Sequence, residues 1–237
     1  MDRVGELESY VSRWLLRTAA GEDAPLNPLA KSVWAAVLFA DISGFTEMTR
    51  LYQGRGDAGV EELALIVGRY LGGLIDRVFA WGGDIEKLYG DAFLAFWPAS
   101  QGDREGSLRS ALGCASEMIA HYDNQLAEDG TALRLRGALA AGNLRAVQVG
   151  GRSGQWHFFV AGPCLSSLSD MLAVASPGRI FTSAEARSAF PGLPELATPA
   201  QIDAAVKPAP ARPTPDPDPP SPSAAFLRAR CWPPATS

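Results

Sequence analysis

Histidine and cysteine are scarce in this chain. It has two histidines and three cysteines among 237 residues, and Cys114, Cys164 and Cys231 form no Cys-x-x-Cys pair. An odd, scattered set of thiols points to reduced cysteines and a cytoplasmic address. His121 and His157 stand alone and far apart, and both read as structural. Long apolar runs are also missing. The longest, at 33–40, is strand-sized, well short of the ~20 residues that span a bilayer. Residues 1–8 carry acids and no apolar signal core, so neither a secretory peptide nor a membrane span is expected. Positive charge is not in excess: 21 Lys and Arg stand against 26 Asp and Glu, for a net charge of −5. That argues against nucleic acid as a partner. There is no internal repeat. With 47% hydrophobic and 20% charged residues, the composition excludes a collagen, a coiled-coil rod and wholesale disorder.

What is present falls into patterned segments. Leu7, Tyr10, Val11, Trp14 and Leu15 recur at helical spacing in 5–18, and Gly21, Pro25 and Pro28 mark 20–31 as a loop. Residues 32–40 read as a buried strand ending at Asp41. The pattern then breaks over Asp41-Ile42-Ser43-Gly44-Phe45-Thr46. Helical spacing returns over 60–80, and Gly82-Gly83 closes that helix. Residues 84–89 and 92–97 flank a tight Gly90-Asp91 turn and read as a hairpin. A helix is expected over 103–127, a strand over 133–141, a strand pair over 144–149 and 155–161, a helix over 165–175 and a short strand over 179–181. Ser183 is placed to N-cap a last small helix. This order matches an α+β, ferredoxin-like (βαββαβ) sandwich with a C-terminal extension. Thirteen of the 18 prolines lie at or after Pro191, and 208–222 is rich in Pro, Ala and Asp. The expected division is therefore 1–31 as an N-terminal helix and linker, 32–190 as the folded domain, and 191–237 as a Pro-rich disordered tail or linker.

Two aspartates stand out. Asp41 ends a buried strand and Asp91 sits in the hairpin turn. Paired carboxylates there suit a hard cation such as Mg²⁺, which takes one or two carboxylates plus substrate phosphates. Between them, 42–46 supplies backbone N–H groups entering a helix, a natural cradle for phosphate. Spacing alone favours a simpler account, in which Asp41 caps a helix and Asp91 makes a turn.

Two motifs shift that balance. Phe39-Ala40-Asp41-Ile42-Ser43-Gly44-Phe45-Thr46, followed by Gly82-Gly83-Asp84-Ile85-Glu86-Lys87-Leu88-Tyr89-Gly90-Asp91-Ala92-Phe93-Leu94-Ala95-Phe96-Trp97, closely resembles the class III adenylyl/guanylyl cyclase catalytic domain. Within that family it is most similar to the first, metal-binding half of soluble, bicarbonate-responsive adenylyl cyclases. The resemblance runs over about 33–188. It implies the class III cyclase type of ferredoxin-like fold and conversion of ATP to cyclic AMP and pyrophosphate. It implies two Mg²⁺ or Mn²⁺ ions held by Asp41 and Asp91, with the Ile42 carbonyl lending a further ligand. Gly44, Phe45 and Thr46 would lend N–H groups to the phosphates, and Arg136 would contact the terminal phosphates. Lys87 would face a purine pocket or its degenerate, regulatory counterpart. A bland reading remains for each cation: a solvent-facing strand residue for Arg136, and an exposed pair with Asp84 or Asp91 for Lys87. Gly82-Gly83-Asp84-Ile85 is also similar to the turn of diguanylate cyclases, but the following residues lack Glu-Phe.

Family members work as dimers of catalytic halves, one giving the metals and the other a purine-reading Asp or Thr, an Asn and an Arg. Counting from Gly162, those positions hold Phe159, Ser166 and Asp170. The bicarbonate-binding Arg falls on Ser169. The resemblance therefore implies a metal-donating half that needs ATP and a second half, in a heterodimer or tandem domain, or a self-dimer. Two rivals stay open: a degenerate regulatory or dimerisation module, and an active homodimer using Arg145, Gln148 or Arg152 as substitutes.

Overall fold

The structure is a computed structural model and describes residues 28–126, 130–150 and 156–206. The helix expected over 5–18, the Pro-rich stretch 208–222, Arg152 and Cys231 lie outside the described residues.

The molecule is built on two long strands. Strand β1 (Leu29–Ser43) pairs antiparallel with β5 (Ala132–Gly150) along its whole length, from Leu29 opposite Gln148 to Ser43 opposite Arg134. Its other edge pairs with β3 (Ala92–Pro98), from Ala35 opposite Pro98 to Asp41 opposite Ala92. Strand β2 (Asp84–Tyr89) flanks β3, with a register irregularity between Ile85 and Lys87. The path through the sheet is β2-β3-β1-β5, continued by β7 (Ile180–Thr182) and β8 (Leu196–Ala197). Its first four strands, with helices in the two crossovers, have the ferredoxin-like order.

Helices α1 (Phe45–Gln53), α2 (Asp57–Ala80) and α3 (Arg104–Tyr122) follow β1 and β3. Strand side chains alternate between faces. On β1, Ala36, Leu38, Ala40 and Ile42 join Leu74, Val78, Leu112 and Met118 in one buried cluster, under α2 and α3. Ala35 and Val37 join Leu94, Phe96, Ala138 and Ala140 in a second cluster on the opposite face. Asp41 shares the parity of that second face, at its end. Trp81 and Trp97 behave as packing residues: Trp97 Nε1 donates to the Trp81 carbonyl and Trp81 Nε1 to Glu117.

Four expectations need correction. The break at Gly142-Asn143 is absent, and β5 runs unbroken from Ala132 to Gly150. Gly142 is needed for close approach, because a Cβ there would lie 3.3 Å from the Cys164 Cβ. The helix expected to reach 127 stops at Tyr122, where Asp123 turns extended and its carboxylate accepts from Arg134 and from the Leu135 N–H. A short strand β4 (Gln125–Leu126) follows and pairs with the start of β5. The helix expected over 165–175 is two, α4 (Pro163–Ser166) and α5 (Leu168–Val174), preceded by β6 (Trp156–Ala161) on the β5 edge.

The fourth concerns the C-terminal boundary. Strand β7 (Ile180–Thr182) pairs parallel with β5, and Ser183 caps α6 (Ala184–Ala189) as expected. Packing does not end at 190. Strand β8 (Leu196–Ala197) pairs with β7, and α7 (Pro199–Ala205) lies across α3. Leu193, Ala197, Ile202 and Val206 are buried in the first cluster. A capping box between Thr198 and Gln201 starts α7. Likewise β1 begins at Leu29, inside the stretch expected to be linker.

Candidate active site

Asp41 and Asp91 come together through the β1–β3 pairing. The Gly90-Asp91 turn closes the β2–β3 hairpin, with Gly90 at φ 73° in the first turn position. That is the pattern of a type II′ hairpin turn, which glycine adopts without strain. The Ile42 N–H donates to the Asp91 carbonyl at 3.3 Å, so the turn is fastened to β1 beside Asp41. The two carboxylates thus arise from adjoining backbone positions on neighbouring strands.

The loop after β1 is one residue long. Gly44, at φ 97°, N-caps α1, and a Cβ there would approach the Ala132 carbonyl to 3.0 Å. The first helical bond runs from the Met48 N–H to the Gly44 carbonyl. The N–H groups of Phe45 and Thr46 in the first turn therefore have no partner within the helix. They lie at its positive end, where the helix dipole favours an anion. Phe45 packs against the core and anchors this turn.

Arg136 is not the free strand cation that its bland reading supposed. It lies directly opposite Asp41 on β5, and its Nε and Nη2 both donate to Asp41 Oδ2 at 2.9 Å. The Arg136 and Asp41 side chains are 29% and 17% exposed, respectively. Spacing could not have found this contact, because 95 residues separate the partners and only the sheet register joins them.

Lys87 is exposed on β2, with its Nζ 5.6 Å from the Tyr89 ring centroid. Its neighbour Glu86 is a residue the sequence reading missed. Burial pushes the Glu86 carboxyl above its ordinary value, opposed by a hydrogen bond from the Tyr89 hydroxyl, the Lys87 charge and the Val160 backbone. Tyr89 in turn sits edge-on to Phe39 at 5.9 Å.

Phe159 is 40% exposed and pairs with Val147. Ser166, at the end of α4, and Ser169 and Asp170, in the first turn of α5, are exposed. Of the suggested substitutes, Gln148 is only 5% exposed and Arg145 is exposed opposite Ala161. Cys114 is buried and Cys164 half-buried, both as free thiols.

Hard carboxylate oxygens from Asp41 and Asp91 fit the preference of Mg²⁺ or Mn²⁺. One of those oxygens, Asp41 Oδ2, already has two N–H partners. Among the described residues, no group of three or more His, Cys, Asp and Glu is arranged to hold a metal ion. No described helix is long and apolar enough to cross a membrane.

No family model matches the sequence. Adenylate cyclase type 10 of Oryctolagus cuniculus is 30% identical over 171 residues, covering 68% of this chain and 11% of that protein. The human counterpart is 29% identical over 150 residues, 62% of this chain and 9% of its own length. The chain thus spans about a tenth of these relatives. An uncharacterised Mycobacterium tuberculosis protein is 28% identical over 196 residues, 82% of this chain and 45% of that protein. Among solved structures, the adenylyl cyclase CyaB from P. aeruginosa superposes with a TM-score of 0.57 at 20% identity, covering 72% of this chain and 90% of that one. A rhodopsin-guanylyl cyclase catalytic core, in complex with ATPαS, gives 0.56 at 21% identity over 69% and 84%. The homologues of this chain are adenylate cyclase type 10 proteins, its structural neighbours are class III adenylyl and guanylyl cyclase catalytic domains, and it has the α+β fold of that class.

Proposed function

We propose that this chain is the metal-donating half of a class III adenylyl cyclase, acting on ATP at an interface with a complementary half. One observation carries the reading: the β1–β3 and β1–β5 registers gather Asp41, the Ile42–Asp91 link, the Gly44–Thr46 turn and Arg136 at one end of the sheet. The adenylate cyclase relatives favour ATP over GTP.

Asp41 and Asp91, with the Ile42 carbonyl, would hold two Mg²⁺ or Mn²⁺ ions. When bound, such ions lower the pKa of a coordinated hydroxyl and neutralise charge on a transferring phosphoryl group. The N–H groups of Gly44, Phe45 and Thr46 would receive phosphate oxygens at the α1 N-terminus. Arg136 would pair with the terminal phosphates, as a guanidinium suits them. Lys87, on the β2 edge with Glu86, would face a second pocket, of purine-binding or regulatory character.

The second half is required because of what stands at three positions. Phe159 offers no hydrogen bond to a base edge, Ser166 is short, and Asp170 puts negative charge where developing negative charge needs a cation. Loss of one preorganised donor costs ~10²–10³ in rate. A self-dimer of this chain should therefore be nearly inactive. The same three residues favour a second reading, a degenerate domain that dimerises and regulates a partner without turnover. With reduced cysteines, the working address is cytoplasmic.

The metal assignment is tested by calorimetry of ATP binding in the presence of Mg²⁺. Asp41→Ala and Asp91→Ala should each abolish cation-dependent binding while the circular dichroism spectrum is retained. Unchanged affinity in both variants would overturn the assignment.

A further inference from the structure

Arg136 has two prospective anionic partners, and the two N–H groups that grip one are not free for the other. Its Nε and Nη2 both donate to Asp41 Oδ2 at 2.9 Å. Asp41 and Arg136 share one row of the sheet and one face, so no rearrangement is needed to keep the pair together. The pair is partly shielded, and its hydrogen bonds are charge-assisted, which makes them stronger than neutral ones. The same guanidinium is the group that would grip the terminal phosphates. An N–H that donates to Oδ2 is not available to a phosphate oxygen.

The geometry points to an internal latch: Arg136 occupies the Asp41 carboxylate as a resident counter-charge until a triphosphate draws it away, so that divalent cation and nucleotide are taken up together. This rests on the proposed reading that Asp41 and Asp91 bind the metal. A cation arriving alone meets a like charge and two charge-assisted bonds on Asp41 Oδ2. A triphosphate arriving alone competes with Asp41 for those two N–H groups. Each ligand removes the obstacle facing the other. By linkage, the factor by which nucleotide tightens metal binding equals the factor by which metal tightens nucleotide binding.

The test measures Mn²⁺ affinity on the full chain by the electron paramagnetic resonance signal of free Mn²⁺. It is run with and without an ATP analogue that lacks the 3′-hydroxyl and cannot cyclise. Without nucleotide, Arg136→Gln should bind Mn²⁺ about three- to tenfold more tightly than the parent, the scale of one partly exposed charge-assisted pair. The tightening of Mn²⁺ binding by the analogue should shrink in that variant. Arg136→Lys, which keeps the charge but not the two-point grip, should fall between. Arg145→Gln removes an exposed charge elsewhere on β5 and should change nothing. Equal rises in Arg136→Gln and Arg145→Gln would reduce the effect to net charge and overturn the latch. An Arg136→Gln affinity equal to or weaker than the parent's, with Mn²⁺ binding lost in Asp41→Asn, would overturn the latch and leave the metal site standing. Unchanged Mn²⁺ affinity in Asp41→Asn, with and without the analogue, would remove the metal site and the latch together. Thermal melts of each variant establish that the protein measured is folded.

Discussion

Gly44 couples backbone chemistry to the site more tightly than any other single residue. It sits at φ 97° between the end of β1 and the first turn of α1, with the Ala132 carbonyl 3.0 Å from where a Cβ would stand. A left-handed backbone costs an L-residue ~1–2 kcal/mol. Gly44→Ala should therefore lower unfolding free energy by about that amount or more, read from urea melts, and weaken ATP binding by tilting the Phe45 and Thr46 N–H groups. A variant as stable as the parent would show that this turn tolerates a side chain. Glu86 makes a pH-dependent case at the same scale. Burial raises its carboxyl above the ordinary 4.5. The folded state then holds that proton more tightly than the unfolded chain does. The stability so gained is present below the unfolded value and is lost as pH rises through the folded one. Glu86→Gln removes this loss. Its melting temperature should gain on the parent's as pH climbs from about 4.5 through the mildly acidic range. A difference that stays flat with pH would contradict the shift.

At the scale of elements, legibility followed the strength of local patterns. The β1 run, the helix over 60–80 and the β2–β3 hairpin were read within a few residues. Each carries a pattern and a stop that a single segment can display: an apolar run ending at Asp41, apolar residues three and four apart, and Gly90-Asp91 between two strand-length segments. The failures came where distant partners decide. Gly142 looks like a breaker, yet pairing with β1 carries β5 straight through it, and its missing side chain admits Cys164. Asp123 ends α3 early because its carboxylate is drawn to Arg134 and Leu135 across the sheet. The Asp41–Arg136 pair needed the register itself. The proline count obscured α7, although Thr198-Pro199-Ala200-Gln201 is a recognisable helix start with proline at the first position. That helix is structural. Ile202 is fully buried, Ser116 donates to Asp203, and Arg109 donates to the Val206 carbonyl. Ile202→Ala should cost roughly 2–5 kcal/mol. A chain ending at residue 190 should melt far below the parent. If both melt with the parent, α7 is an ornament and the 190 boundary is restored.

At the scale of the whole molecule, the proposed reading gives the described fold a metal-donating end and a degenerate one. The carboxylates, the N-capped helix and Arg136 converge at one end of the sheet. On the proposed reading, the β6 to α5 segment holds Phe159, Ser166 and Asp170 at positions where a complementary half would present a base reader, an amide and a cation. That asymmetry makes the account sharply testable, because it ties activity to what the chain is mixed with. The most direct measurement is cyclic AMP formation from Mn²⁺-ATP by the chain alone, and then mixed with a cyclase half that carries the Asp or Thr, Asn and Arg set but lacks the metal aspartates. The account predicts almost no product from the chain alone and a rise of about 10² or more in the mixture, abolished by Asp41→Ala. Full activity of the chain alone would contradict it, by showing that Phe159, Ser166 and Asp170 are no impediment to turnover.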